Sequence, residues 1–294
     1  MAYESVAHEL PVIPQELNLQ TPALAGVKAV LALASATGGC GRSTLAANLA
    51  IALVLKKCKV GVIDANFSAP ALPTILGVNR IVSSFVPGTL EPTSAPLGIR
   101  VIAADPDFDP HPLDLHEEAT SALNGSDAGI TPLSIERIAT QARLGALDLL
   151  VVDLPVGVAP VIELARYIPQ ARVLWLMTNS RLSTNATRRA LRLARASGIA
   201  SLGLLENLQG FYCGGCHTVR PLLPNADGAT LSREFGLPSF GHLPFDSRLA
   251  ECADSGRPFI REYPDLPLAK LLVELAANLM AALTPAAIAK AAPT

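Results

Sequence analysis

Short runs, most of them wholly apolar, alternate along the chain with stretches that repeat apolar residues at helical spacing. The apolar runs predict buried strands at 29–34, 60–63, 99–103, 147–152, 173–177, 199–205 and 240–243. The helical spacing predicts helices at 43–57, 134–144, 161–167, 183–197, 229–235, 246–254 and 266–283. Apolar strands that alternate with helices are typical of βαβ units. The pattern therefore predicts an α/β fold with a doubly wound, mainly parallel sheet and helices on both faces.

The stretches between these runs set the predicted boundaries. Residues 1–25 are polar with several prolines and predict a flexible N-terminal extension. Residues 26–283 then form one predicted domain, followed by a frayed Ala/Pro-rich tail at 284–294. Three stretches inside the domain predict loops: the proline-rich 65–98, the acidic surface insertion 105–131, and 208–227, which carries two cysteines.

Composition narrows the class of protein. The chain has 294 residues, of which 50% are hydrophobic and 16% charged, so it has ample material for a large core. Aromatic residues make up only 4%, so Ala, Leu, Val and Ile must build that core, which suits helices packed on a parallel sheet. The formal net charge of −2 argues against a basic nucleic-acid-binding face, so we expect no nucleic-acid partner.

The sequence predicts neither export nor a membrane span. Its first 20 residues lack the basic and then apolar pattern of a secretory signal, and no apolar run reaches the length of a membrane span. Five cysteines are an odd and low number, which does not favour a disulfide framework. We therefore expect a cytoplasmic protein without a membrane span.

The glycine-rich stretch after the first strand predicts a phosphate cradle. Glycines let backbone N–H groups approach an anion closely, and the start of the next helix adds partial positive charge. A P-loop has the pattern Gly-x-x-x-x-Gly-Lys-[Ser/Thr], whereas here Ala36 replaces the first glycine and Arg42 the lysine. The alternative is an ordinary glycine-rich turn between strand and helix. The predicted cradle residues are Gly38, Gly39, Cys40, Gly41, Arg42, Ser43 and Thr44.

Two aspartates at strand ends are the candidate Mg²⁺ ligands beside this cradle. Asp64 follows the apolar run 60–63, and Asp153 follows the run 149–152. Because the carboxyl ends of parallel strands meet at one edge of a sheet, both carboxylates fall near the cradle. Either carboxylate, together with the Ser43 hydroxyl, would bind Mg²⁺ or its waters. A strand-end aspartate that caps the next turn is the alternative.

Several motifs together resemble one family. Residues 35–48, Ser-Ala-Thr-Gly-Gly-Cys-Gly-Arg-Ser-Thr-Leu-Ala-Ala-Asn, resemble the deviant Walker A loop of the MinD/ParA superfamily of P-loop ATPases. Further segments are similar to its Mrp/ApbC branch, the iron–sulfur cluster carrier proteins: 62–66 with 69–77 (switch I), 153–157 (switch II), 205–216, which ends in Cys-x-x-Cys, and 241–251. The resemblance covers roughly residues 24–283.

The resemblance implies cofactors and partners. The protein would bind ATP or ADP with Mg²⁺ and would form a homodimer. Cys213 and Cys216 of each subunit would share one labile [4Fe–4S] cluster, exchanged with recipient or donor iron–sulfur proteins. Asn207 falls at the position that binds the adenine edge in the family, and a turn-capping asparagine is the alternative.

The cysteine pair also fits other chemistry. Two thiolates of a Cys-x-x-Cys turn can bind one metal, but a closed site needs four, which two chains can supply. Zn²⁺ would be held by the same four thiolates. A thioredoxin-like redox pair, covalent haem attachment at Cys-x-x-Cys-His217 and two unliganded thiols are further alternatives.

Three departures from the family pattern predict that ATP hydrolysis is very slow or absent. Thr37 and Arg42 stand where the family has phosphate-binding lysines, and Asn66 replaces the aspartate that orients the attacking water. Loss of this charge around the γ-phosphate would cost on the order of a thousandfold in rate. The leading hypothesis is a divergent, nucleotide-binding iron–sulfur carrier or scaffold. The alternatives are a pseudo-ATPase of MinD/ParA type that regulates or positions a partner without a cluster, and an ATPase that tolerates Arg42.

Overall fold

The computed structural model describes residues 24–78, 81, 85–86, 89–104, 133–216, 218–222 and 228–284. Nearly all of the predicted N-terminal extension, the acidic insertion 105–131 and the C-terminal tail lie outside these residues.

Strands and helices alternate along the described residues. The strands are β1 (Val30–Ser35), β2 (Val60–Asp64), β3 (Phe85–Val86), β4 (Thr89–Leu90), β5 (Thr93–Ser94), β6 (Arg100–Ile102), β7 (Leu149–Asp153), β8 (Arg172–Thr178), β9 (Ser201–Cys213), β10 (Thr218–Arg220) and β11 (Ser239–Phe245). The helices are α1 (Arg42–Leu55), α2 (Leu72–Ile75), α3 (Ile135–Gln141), α4 (Ala159–Tyr167), α5 (Arg181–Ala196), α6 (Gly228–Phe235), α7 (Ser247–Asp254), α8 (Phe259–Glu262) and α9 (Pro267–Ala282).

One sheet of nine strands organises the molecule. Its order is β10-β9-β8-β1-β7-β2-β6-β5, with β11 paired to β9. The strands β1, β2, β6, β7, β8, β9 and β11 pair in parallel, whereas β5 and β10 run antiparallel to their neighbours. The predicted doubly wound, mainly parallel α/β fold is confirmed.

Helices cover both faces of the sheet, as the fully apolar strands require. Successive residues of β1 point to opposite faces. Leu31 and Leu33 pack in a core with α1, α2, α7, α8 and α9. Val30, Ala32 and Ala34 pack in a second core with α3, α4, α5 and α6. Burial of β1 between the two cores fixes the position of the glycine-rich turn that follows it.

The cysteine segment is a β-hairpin, so the predicted loop at 208–227 is wrong at 208–213 and 218–220, which are strands, whereas 214–216 form a turn. β9 continues to Cys213, and β10 returns antiparallel, with Thr218 opposite Cys213. Leu208 (φ 59°) and Gly210 (φ 121°) lie within β9 in backbone conformations that regular strands do not have. These irregularities break the alternation of apolar and polar residues, which is the signal that predicts a strand.

The predicted loop region 65–98 also holds regular structure. It contains α2, the antiparallel pair β3–β4 and the strand β5, which pairs with β6. These elements have two to four residues each, too few for a periodic pattern to indicate them. Among the described residues, no helix is long and apolar enough to cross a lipid bilayer.

Candidate functional site

The glycine-rich loop between β1 and α1 lies at the carboxyl edge of the sheet, where it meets β7 and β9. Gly39 (φ 69°) and Gly41 (φ 79°) both adopt the left-handed conformation that favours glycine. A Cβ on Gly41 would lie only 2.5 Å from Asn207 Nδ2. The loop conformation therefore requires glycine at position 41 for its backbone angle and for its lack of a side chain.

Asn207 ties this loop to β9. Its Nδ2 donates a hydrogen bond to the Cys40 carbonyl oxygen at 2.8 Å, and its side chain is buried. One N–H of the amide predicted to contact adenine is thus engaged by the loop itself. This contact matches the alternative given from the sequence, in which Asn207 caps a turn.

Arg42 points back into the protein and pairs with Asp153. Its Nε lies 3.2 Å from Asp153 Oδ1, and its Nη1 donates to Ser35 Oγ at 2.5 Å. The Ser43 hydroxyl donates to the other carboxylate oxygen, Oδ2. Asp153 is fully buried, and this burial raises its pKa to about 6 although Ser43 and Arg42 act in the opposite direction.

Asp64 has a different role from Asp153. Its carboxylate accepts three backbone N–H groups at 2.7–3.1 Å, those of Asn66, Ala71 and Leu72. Burial raises the pKa of Asp64, and the three N–H groups lower it. The carboxylate therefore stabilises the turn that leads into α2. This is the alternative given from the sequence, a strand-end aspartate that caps the next turn.

The donor set around Asp153 fits a hard cation such as Mg²⁺. Because the Ser43 hydroxyl gives its hydrogen to Asp153, its oxygen lone pairs can face a cation. Arg42 already balances the charge of the same carboxylate. Asp64, in contrast, directs its oxygens to backbone N–H groups.

Thr37 and Asn66, the other two positions that depart from the family pattern, make hydrogen bonds within the protein. Thr37 Oγ1 lies 3.3 Å from the Ser183 hydroxyl at the start of α5. Asn66 Nδ2 donates to the Ala69 carbonyl oxygen at 2.8 Å. Neither side chain places a formal charge at the cradle.

A mostly apolar pocket of about 210 Å³ opens beside the cradle. Its walls include Gly41 and Thr44 from the loop and α1, Asn207 from β9, and Phe245, Leu249 and Leu272 from the opposite side. Asn48 also lines it: Nδ2 donates to the Thr44 carbonyl oxygen at 2.8 Å, and the buried Oδ1 has no hydrogen-bond partner within the described residues. The size and apolar walls suit a flat organic ring next to bound phosphate.

The cysteine pair lies at the tip of the β9–β10 hairpin. Cys213 is half-buried and Cys216 exposed. Thr218 Oγ1 lies 3.0 Å from Cys216 Sγ, and Arg220 Nη2 lies 3.9 Å from it. Hydrogen bonds, that from Thr218 foremost, lower the pKa of Cys216 to about 7. His217 lies outside the described residues.

The part of the chain that the structure describes contains no group of three or more His, Cys, Asp or Glu side chains that could hold a metal. The hairpin thus brings two thiols together but does not bring further such ligands to them. Neither cysteine is among the residues that line the pocket beside the phosphate cradle.

Sequence patterns do not indicate the contacts that lie between the pocket and the hairpin. Arg248 donates to both carboxylate oxygens of Asp246, at 2.9 and 2.6 Å. Its guanidinium lies 5.6 Å from the ring centre of Tyr212 and 5.4 Å from that of Tyr263. Asp246 lines the pocket, and Tyr212 precedes Cys213. The sole sequence signal for a role of Arg248 and Asp246 is the similarity of residues 241–251 to the Mrp branch.

Comparisons with known proteins show which family and which relatives this chain resembles. A family model described as "ParA: NUBPL iron-transfer P-loop NTPase" matches residues 26–280. An iron–sulfur cluster carrier protein of Saccharolobus solfataricus is 28% identical over 252 residues, which cover 85% of this chain and 82% of that protein. The cytosolic Fe–S cluster assembly factor NUBP2 of Bos taurus is 28% identical over 276 residues, which cover 90% of this chain and 96% of that protein.

A solved structure shares the fold. It is a nucleotide-binding protein from Archaeoglobus fulgidus in complex with ADP and with cobalt, and it superposes with a TM-score of 0.64. The match is 24% identical in sequence and covers 84% of this chain and 95% of that one. At this identity the likeness shows the fold alone.

Proposed function

This chain belongs to the ParA family of NUBPL iron-transfer P-loop NTPases, and from that premise we propose that it is a nucleotide-binding carrier of iron–sulfur clusters whose ATP hydrolysis is slow or absent. The relatives named as cluster carriers and assembly factors favour this function over a pseudo-ATPase that only positions a partner. Recipient or donor iron–sulfur proteins are then its partners, and the cytoplasm is its proposed compartment.

The observation that carries the proposal is the cysteine hairpin. β9 and β10 hold Cys213 and Cys216 at an exposed tip, where a second molecule can approach both sulfurs. Two sulfurs from each of two chains would complete the four thiolates that a [4Fe–4S] cluster requires. A homodimer in which two hairpins share one cluster is the arrangement we propose, and Zn²⁺ is the competing metal for the same four sulfurs.

The cradle and the adjoining pocket support nucleotide binding. Backbone N–H groups of 38–44 would hold the phosphates at the start of α1, and the apolar pocket would hold the base. Ser43 and Asp153 would hold Mg²⁺, which neutralises phosphate charge when bound. Asn207 would contact the base while it supports the loop.

The same residues explain why we propose slow hydrolysis. Arg42 is held by Asp153 and Ser35, so its charge must leave a buried ion pair before it can contact phosphate. Thr37 and Asn66 supply no charge, and both side chains are engaged in local hydrogen bonds. Catalysis of phosphoryl transfer depends on charge positioned around the γ-phosphate, which these residues do not provide.

The test of the proposed function is anaerobic reconstitution with iron and sulfide. We expect an absorbance band near 400 nm and bound iron in the unmodified protein, and loss of both in the Cys213→Ser, Cys216→Ser double variant. Cys58→Ser is the matched control because Cys58 is half-buried and distant in sequence from the hairpin. Stoichiometric iron in the double variant, or nucleotide binding without any iron in the unmodified protein, would contradict the carrier function.

A further inference from the structure

The two cysteines of the hairpin differ in how firmly the fold holds them. Cys213 is the last residue of β9, pairs with Thr218 across the hairpin and is half-buried. Cys216 lies in the turn, outside the strand ladder, and is exposed. A Cβ on Gly214 would meet no atom within 4 Å, and one on Gly215 would meet only the Cys213 sulfur, at 4.0 Å. The turn that carries Cys216 thus has room to move, whereas Cys213 is fixed by the sheet.

The polar surroundings of the two sulfurs differ as well. The Thr218 hydroxyl lies 3.0 Å from Cys216 Sγ and Arg220 Nη2 lies 3.9 Å from it, and both residues belong to β10. A thiolate has no hydrogen to give, so in that state the hydroxyl and the guanidinium must be the donors. A cation and a hydroxyl donor therefore stabilise negative charge on the Cys216 sulfur.

From this asymmetry we propose that Cys216 is the exchangeable ligand and Cys213 the retained one, so that Thr218 and Arg220 are positioning residues for cluster release. The inference rests on the proposed carrier function. In the step, the bond between iron and the Cys216 sulfur breaks with its electron pair on sulfur, and a thiolate of the recipient protein forms the new iron–sulfur bond. One thiolate replaces another, so no oxidant, reductant or proton is required.

The chemistry of the contacts favours this order. Hydrogen bonds and positive charge at a ligand sulfur withdraw electron density from it and raise the reduction potential of a cluster. The same contacts stabilise the thiolate that departs, because Arg220 and Thr218 can hold its charge after the iron has left. Cys213, in contrast, is held through its backbone pairing in the sheet, opposite Thr218.

Timed alkylation of the reconstituted protein tests the order of release directly. A chelator is added together with iodoacetamide, samples are quenched over time, and the modified cysteines are counted by mass spectrometry. The rates are divided by those of the metal-free protein, which removes intrinsic differences in thiol reactivity. We expect Cys216 to become modified several-fold sooner than Cys213, within the range that contacts to metal ligands produce. Equal rates, or earlier modification of Cys213, would overturn the inference.

Variants of the two donors test the cause. Arg220→Met and Thr218→Val should each shift the reduction potential of the bound cluster to more negative values and slow its transfer to an apo-ferredoxin, with roughly tenfold slowing in the double variant. Arg220→Lys keeps the charge and should restore most of the potential. Arg261→Met, at an exposed arginine on α8, is the control for loss of a surface charge.

The outcomes separate the two proposals. A loaded cluster with unchanged potential and transfer rate in both donor variants would overturn the inference and leave the carrier function intact. Absence of iron uptake by the unmodified protein would overturn both.

Discussion

Arg42 lies against Asp153 in a buried corner of the phosphate cradle, with its Nε 3.2 Å from the carboxylate Oδ1. Only 9% of the arginine side chain is exposed, and the aspartate is fully buried. Arg42 stands where the family pattern has a phosphate-binding lysine, yet its charge is directed to a protein carboxylate. Nucleotide binding and hydrolysis therefore depend on whether phosphate can draw Arg42 from this pair.

The first prediction concerns hydrolysis. The unmodified protein should release phosphate from ATP at close to the background rate. A triple variant, Thr37→Lys, Arg42→Lys, Asn66→Asp, places the two lysines and the carboxylate of the family pattern around the γ-phosphate and should raise the rate by about tenfold or more. Steady-state phosphate release measures both. Gln170→Glu, at an exposed position in the turn before β8, is the control for an added carboxylate elsewhere, and brisk turnover by the unmodified chain would refute slow hydrolysis.

The second prediction concerns the glycine at position 41. Gly41→Ala should weaken binding of a fluorescent ATP analogue by about tenfold, because the new Cβ would lie 2.5 Å from Asn207 Nδ2 at a φ of 79°. Gly98→Ala is the matched control, since Gly98 also has a positive φ (78°), lies outside the cradle, and a Cβ there would meet no atom within 4 Å. Equal affinity in the two variants would show that the loop conformation is not the one that binds nucleotide.

The third prediction concerns pH. Burial raises the pKa of Asp153 from 3.8 to about 6, so the folded state binds a proton more tightly than the unfolded state. The contribution of this group to the free energy of unfolding is therefore greatest below pH 4 and falls as pH rises through 6, by roughly 3 kcal/mol at most. Urea unfolding of the unmodified protein and of Asp153→Asn between pH 4 and 8 measures it.

The difference in unfolding free energy between the unmodified protein and Asp153→Asn separates the effect of Asp153 from that of the other carboxylates. Asp148 and Glu234 are held by cations, their pKa values are lowered, and they contribute with the opposite sign in both proteins. A difference in unfolding free energy that stays constant from pH 4 to 8 would contradict the raised pKa of Asp153.

The fourth prediction concerns the residue that joins the pocket wall to the cysteine hairpin. Arg248→Ala leaves the buried Asp246 carboxylate without its bidentate partner and removes two contacts with tyrosine rings, so it should cost about 2 kcal/mol of stability. Arg248→Lys should recover only part of this loss, because lysine keeps the positive charge but lacks the planar fork of arginine. Urea unfolding checks both, with Arg261→Met as control, and a cost below about 0.5 kcal/mol would be contrary to the structure.

Local sequence patterns predict much of this molecule for a clear physical reason. The strand 30–35, the glycine turn and the helix from residue 42 are adjacent in sequence, so one stretch of chain specifies the cradle. Asp64 and Asp153 follow apolar runs, and the parallel sheet brings both strand ends to one edge. Periodicity and turn chemistry are sufficient for these features.

The remaining features depend on contacts between distant parts of the chain or on irregular backbone. The pairing of Arg42 with Asp153 joins residues 111 positions apart, and no local pattern predicts it. The hairpin is hidden by the irregular backbone at Leu208 and Gly210. Arg248 is placed between two tyrosines by β9 and the loop after α8, which only the folded sheet brings together.

Native mass spectrometry of the anaerobically reconstituted protein tests the central claim most directly. The predicted species is two chains that share one [4Fe–4S] cluster, and this species should be missing in the Cys213→Ser, Cys216→Ser variant. A protein that stays monomeric and free of iron under iron-replete, anaerobic conditions would contradict the claim.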